Sequence, residues 1–387
     1  MYTLILVTNM PIGGYGLYTL VFSYCLLFSG MVDALISTQF SLNYSSIDNK
    51  KKSEFISNCF ILIGLVGLVF FGLALSLYFI FYKNHEPDSL NVLEIAICFL
   101  MFVGYAIREL VNKLGYVSEN LKINVKANFA ILVMVLIEFS TIKYLDINLS
   151  VRLAVLLLTI NLSLGCLIGM ITSGLRWSPN IKELAKNPII RSYHSSTWAL
   201  VGVIVSWAQA QGYSLVLGHY HGNEAIGTVN AVRLVVFPVM FALTPIASLE
   251  LPKLIEIKNK GGVSEIHKKI NMLTLLTSSL AALYSIFVLV ICCYFKPKIL
   301  PDLILQNCPI LLSWAVYIVA LSLRTYYVME YQVKGYFKKL TLINLVSCVI
   351  SIGIGAGLTG ENGATGMMVG MIIGELLFAF LLAKRRI

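Results

Sequence analysis

The chain has 387 residues, of which 58% are hydrophobic and only 12% are charged, with a formal net charge of +10. Soluble domains carry about 25% charged residues, so a water-exposed globular fold is excluded. So is a soluble domain on a single anchor, or any sizeable catalytic domain outside the bilayer. A mean hydropathy of +0.83 calls for an all-α polytopic membrane protein covered by lipid.

In chain order, the segment Met1–Met10 is apolar but too short to cross a bilayer, and reads either as the remnant of a first helix or as a peripheral segment. It lacks the basic n-region and small-residue cleavage site of a signal peptide. Apolar runs then predict eleven spans, at about 15–40, 55–82, 91–112, 123–145, 151–172, 195–217, 224–249, 270–295, 303–328, 338–358 and 363–383.

The loops between these spans alternate in charge. Twenty-three of the 29 Lys and Arg residues fall in one set of loops and at the C-terminus, among them Lys50–Lys52, Lys253–Lys269 and Lys384–Arg386. The opposite set holds only Lys83, Lys143, Arg152, Lys296 and Lys298, and Arg233 lies inside a span. Cytoplasmic loops retain positive charge, so the C-terminus is cytoplasmic and the N-terminal segment lies outside. The positive balance is largely this orientation signal and calls for no nucleic-acid partner.

Residues 176–192 are polar and contain Pro179 and Pro188, so they read as a cytoplasmic linker between an N-terminal lobe, 1–175, and a C-terminal lobe, 193–387. An internal repeat supports this division. Tyr15-Gly16-Leu17 opens the first span and Ile226-Gly227-Thr228 opens another 211 residues later, with Ser53-Glu54 and Ser264-Glu265 at the same offset. Parallel repeats of this kind are a transporter architecture with the substrate path between the halves.

Two stretches carry a resemblance to a known family: Gly14-Tyr15-Gly16-Leu17-Tyr18, and Gln211 to Gly218 followed by Asn223-Glu224-Ala225-Ile226-Gly227. They resemble the Wzx-type O-antigen and polysaccharide repeat-unit flippases of the multidrug/oligosaccharidyl-lipid/polysaccharide exporter superfamily, related to MATE transporters. The resemblance implies twelve helices in two six-helix lobes around a central cavity, of which this chain lacks most of the first helix. It implies a polyprenyl-diphosphate-linked glycan as cargo, a bacterial inner membrane as location, and membrane lipids, a polysaccharide polymerase and chain-length machinery as partners. Family members often carry an acidic residue near the positions of Gln209 and Gly212, where this chain has the neutral Gln209 and Gln211.

Ionisable groups inside spans are costly and so are functional suspects. Arg233 lies too deep for easy snorkelling and offers a guanidinium to a diphosphate; the competing reading is an Arg paired, for structural reasons, to a carboxylate or to freed backbone carbonyls. Pro238 and Pro245 follow it and mark a bending, cavity-lining helix. Asn230, Gln209, Gln211, Trp207 and Asp33 are further candidates for the cavity, and Asn161 and Tyr213 for contact with sugar. Asp33 and Glu138 are candidates to bind a coupling H⁺ or Na⁺, or else to satisfy a neighbouring side chain. Glu375 is also well inside a span.

Arg108 and Arg324, with Glu109, Lys113, Glu330 and Lys334, sit at cytoplasmic helix ends, where they either receive an incoming diphosphate or snorkel. His219-x-His221 with Glu224 has a metal-like spacing but no further ligand, and no metal or cofactor is expected. The eight cysteines lie almost all in spans and define no disulfide framework. No P-loop or nucleophile elbow is present, so a transporter is favoured over an enzyme. A MATE-like exporter of small organic cations, a polysaccharide polymerase or ligase, and a structural or sorting membrane protein are the alternatives.

Overall fold

The structure, a computed structural model, describes residues 2–44, 47–48, 51–81, 92–145, 147–175, 177–180, 193–260, 262–295 and 302–384. The described residues form helices and no strands. This is how a lipid-immersed chain satisfies its backbone groups within each segment. In the N-terminal half, α1 is Tyr2–Asn9 and α2 is Ile12–Val32, which continues through a π-helical turn, Asp33–Ser37, into α3, Thr38–Asn43. Then follow α4 (Lys52–Phe81), α5 (Val92–Val117), α6 (Lys122–Tyr144) and α7 (Val151–Ser173). Ser150 caps α7 by accepting a hydrogen bond from the Leu153 amide at 3.2 Å.

In the C-terminal half, α8 (Tyr193–Asn259) is broken at Gly222, whose φ of 75° leaves the helical region. The halves, 193–221 and 223–259, are α8a and α8b. α9 (Val263–Leu289) ends in a π-helical turn, Val290–Phe295. After α10 (Asp302–Gln306) and α11 (Cys308–Lys334), α12 (Phe337–Lys384) breaks at Gly363 into α12a, 337–362, and α12b, 364–384. Among the described residues, eight helices are long and apolar enough to cross a membrane. Two of them, α8 and α12, are pairs of spans, and α5 adds another, in agreement with the eleven spans read from hydropathy. The linker at 176–192 lies mostly outside the described residues.

Large apolar side chains cover the outside, such as Leu68, Phe129, Leu275 and Leu283, while each lobe has its own core. The N-terminal core gathers Phe28, Phe40, Ile63 and Leu110, and the C-terminal core gathers Tyr213, Trp314, Tyr317 and Met367. The lobes meet where α2 crosses α8b. A Cβ on Gly16 would lie 1.8 Å from the Asn223 carbonyl oxygen, and one on Gly227 would lie 2.1 Å from that of Ile12. Ile12 and Asn223 are themselves 211 residues apart, as are Gly16 and Gly227. The repeat seen in the sequence is therefore a reciprocal contact in space, with helix backbones touching at their outer ends. Asn230 and Thr19, another pair at this offset, touch one turn further in (3.4 Å).

Backbone dihedrals stay helical through Pro238 and Pro245 and leave the helical region at Gly222. One expectation is corrected here: Cys293 and Cys308 form a disulfide. Cys293 in the π-helical turn lies beside Cys308 at the start of α11, a proximity that hydropathy, which counts cysteine as apolar, does not reveal.

The crossing tolerates no side chain, and overpacking of this kind typically costs about 1–3 kcal/mol. Gly16→Ala and Gly227→Ala are each expected to lower the melting temperature of the purified protein. Gly64→Ala, whose added Cβ meets open space, should leave it unchanged, and equal effects at all three positions would contradict the contact.

Candidate functional site

The polar groups of the C-terminal lobe converge at one depth. Arg233 follows the break at Gly222 by eleven residues and Glu375 follows Gly363 by twelve, about 16–18 Å of helix in each case, near the middle of a ~30 Å hydrocarbon core. The Arg233 guanidinium lies over the rings of Phe237, at 4.8 Å, and Trp314, at 5.0 Å. Its Nη1 donates to the Tyr213 hydroxyl at 3.4 Å. Tyr213 donates in turn to Asn230 Oδ1 at 2.8 Å, and Asn230 Nδ2 donates to the Ile226 carbonyl at 2.9 Å. Trp314 is fixed by its own indole bond to the Val229 carbonyl, 3.0 Å. No ion pair among the described residues includes Arg233, and its buried Nε has no hydrogen-bond partner. Of the two readings open for this residue, pairing with a carboxylate is thus not what the structure shows.

Trp314 packs edge-on against Tyr317 at 5.3 Å, and Tyr317 leads to the second half of the seam. Its hydroxyl donates to Glu375 Oε1 at 3.4 Å, and Gln209 Nε2 donates to the same oxygen at 3.3 Å. Glu375 is fully buried and pairs with Arg324 at 2.7 Å. The seam from α8b through α11 to α12b therefore holds two guanidiniums and one carboxylate, with a net positive charge. Arg324 does not snorkel and is not held out to receive cargo; α11 turns it inward to neutralise Glu375, over the ring of Phe378.

The remaining candidates fall elsewhere. Trp207 donates to the Ser23 carbonyl at 2.6 Å and so ties α8a to α2. Gln211 is partly buried on α8a, two residues from Gln209. In the N-terminal lobe Arg108 is buried, donating to Asn112 and Asn128. Asp33 lies in the π-helical turn, partly exposed, and pairs with Lys113. Glu138 accepts from Asn161 Nδ2 at 2.9 Å, and the other oxygen of each side chain has no partner. Glu330, also assigned to a free cytoplasmic end, is buried between Lys334 at 3.0 Å and His267 at 2.9 Å. His221 faces the Thr359 carbonyl at 3.0 Å, across the two outer breaks. Tyr213, Trp314, Tyr317 and Phe237, which build the cradle, were not all visible as site residues in the sequence; the signal available was the interruption of aliphatic spans by aromatic residues bearing polar tips.

No protein-family model matches the chain, and no curated protein does. Solved structures match its fold. Lipid II flippase MurJ in an inward closed conformation aligns with a TM-score of 0.71 at 13% identity, over 99% of this chain and 85% of that one. An inward-facing multidrug resistance MATE family transporter of the MOP superfamily gives 0.67 at 14% identity, over 100% and 96%. A MOP superfamily transporter from Pyrococcus furiosus, described as having a binding pocket of reverse polarity, gives 0.60 at 13%, over 98% and 88%. The chain has the fold of these membrane transporters, and it is a multi-pass membrane protein.

Removing one partner of a buried ion pair leaves an uncompensated charge, at a cost of about 3–5 kcal/mol. Glu375→Gln is expected to destabilise the purified protein by that order. The double variant Arg324→Met/Glu375→Gln should recover most of the loss in thermal melting, and additive losses would mean that the two do not act as a pair.

Proposed function

We propose that the protein is a flippase for an undecaprenyl-diphosphate-linked oligosaccharide, moving repeat units of a surface polysaccharide such as O-antigen or capsule across the bacterial inner membrane by alternating access. The observation that carries this reading is Arg233: a guanidinium at mid-depth, beside the line where the lobes meet, held by aromatic rings and matched by no carboxylate. An interior cation of this kind attracts an anion, and a diphosphate offers oxygens to its unused donors. Asn230, Gln209, Gln211 and Trp207, with the aromatic faces nearby, suit the hydrogen bonding and stacking of sugars.

The fold shared with a lipid II flippase and the resemblance of the Gly14–Tyr18 and Gln211–Gly227 stretches to polysaccharide flippases support the same reading. The glycan would enter from the cytoplasmic side while its lipid tail stays in the bilayer, and the lobes would rock about the α2–α8b crossing. No covalent chemistry is involved, and a polymerase and chain-length machinery would act on the delivered repeat units. An exporter of small organic cations fits less well, because a net-positive seam repels such cargo.

Coupling to H⁺ or Na⁺ falls to Glu138 rather than Asp33, whose charge Lys113 already meets. An amide and a carboxyl satisfy each other at both ends only when the carboxyl carries a proton, so the two partnerless oxygens of Glu138 and Asn161 favour H⁺.

In the native host, deletion of the gene is expected to leave lipid-linked repeat units on the cytoplasmic face; normal surface glycan would reject the flippase reading. Complementation by Arg233→Ala should transport at least about tenfold more slowly at unchanged protein level, since hydrogen bonds to charged groups are worth about 1.5–3 kcal/mol. Arg233→Lys should retain part of the activity, and full activity of the Ala variant would remove the anion role. In vesicles, dissipating the proton gradient should stop translocation while dissipating a Na⁺ gradient should not; translocation indifferent to both removes Glu138 as a coupling site.

A further inference from the structure

At the cytoplasmic edge of the C-terminal lobe, where α11 turns into α12a beside the end of α12b, lies a groove of about 560 Å³, within the size range of small-molecule sites. Tyr336, Lys338 and Lys339 form its head, and Leu342, Val346 and Leu381 line its length. Leu342 and Val346 are about half exposed, 46% and 50%, so the groove is open along an apolar wall. Both lysines are held by aromatic faces: Lys338 Nζ lies 5.3 Å over the Trp198 ring and Lys339 Nζ 5.8 Å over the Tyr331 ring. Neither has a carboxylate partner among the described residues.

The N-terminal lobe has a groove at the same corner, between its own fourth and fifth helices, α5 and α6, of about 490 Å³. Its walls are similarly apolar, with Phe129 and Leu132, but the polar groups that line it are the neutral Tyr116, Asn124 and Asn128. Of these two grooves, the C-terminal one has lysines in its lining and the N-terminal one does not. A basic pocket between helices at the cytoplasmic face, with an aromatic rim and an apolar trough below, matches an anionic lipid of that leaflet.

We propose that this groove binds one anionic phospholipid of the cytoplasmic leaflet, its phosphate on Lys338 and Lys339 and its acyl chains along Leu342, Val346 and Leu381. The site is separate from the Arg233 seam and does not depend on which cargo the protein carries. Snorkelling lysines that only mark orientation need no trough beneath them, and their substitution would not change which lipid stays bound.

The test is native mass spectrometry of the full chain released from nanodiscs of equal parts phosphatidylglycerol and phosphatidylcholine, counting retained lipids. The wild type is expected to retain phosphatidylglycerol preferentially. Lys338→Gln/Lys339→Gln should reduce that preference about tenfold, the scale expected when two lysines each attract an anionic headgroup. Lys338→Arg/Lys339→Arg should keep it, and so should Lys122→Gln, at the cytoplasmic start of α6 but outside either lining. Leu342→Trp, which fills the trough at an exposed position and keeps both charges, should also displace the lipid, so the proposal remains testable if the double Gln variant does not fold. A wild type without preference, an undiminished preference in both the Gln and Trp variants, or an equal loss in Lys122→Gln would overturn it.

Discussion

The two lobes touch where two helix backbones meet with no side chains between them. In lipid there is no hydrophobic drive to press one apolar helix on another, so association depends on how closely the backbones approach. Gly16 and Gly227 give α2 and α8b that approach at their outer ends, and the contact is reciprocal because the two glycines are equivalents of one another. From this contact follow the position of Asn230 against Thr19, the seating of α8a on α2 through Trp207, and the placement of Arg233 close to the line between the lobes.

Charge inside the bundle is handled in two ways. Most interior ionisable groups are matched: Glu375 by Arg324, Asp33 by Lys113, Glu330 by Lys334 and His267, and Arg108 by two asparagine oxygens. The Arg324–Glu375 and Asp33–Lys113 pairs join different helices and neutralise their carboxylates, whereas Arg108 keeps its charge, because amide oxygens accept its hydrogen bonds without cancelling it. Arg233 also keeps its charge. Its partners are π-faces and one hydroxyl, which stabilise a cation without cancelling it.

Much of the architecture was legible in the sequence because the rules of the bilayer are coarse. Helical spans and the 211-residue offset have counterparts in the structure, and the offset proved more informative in space than it was as a string of matches. The partners of the charged residues were not legible. Arg324 and Glu375 are on different helices, 51 residues apart, and whether a cation near a helix end points to the headgroups or to the interior depends on rotation about the helix axis, which span-level hydropathy does not encode. The break at Gly222 was not legible as a helix feature, because it lies in what read as a short loop between spans.

The disulfide between Cys293 and Cys308 adds a chemical label to the side on which it sits. Such bonds persist in oxidising compartments and not in a reducing cytosol, so the bridge marks its face of the bundle as the one turned away from the cytosol. Orientation in this protein is therefore written twice, once as a statistical excess of lysine and arginine on one side and once as a single covalent bond on the other. The two records are independent in origin: one is read during insertion, while the other is made after the chain has arrived.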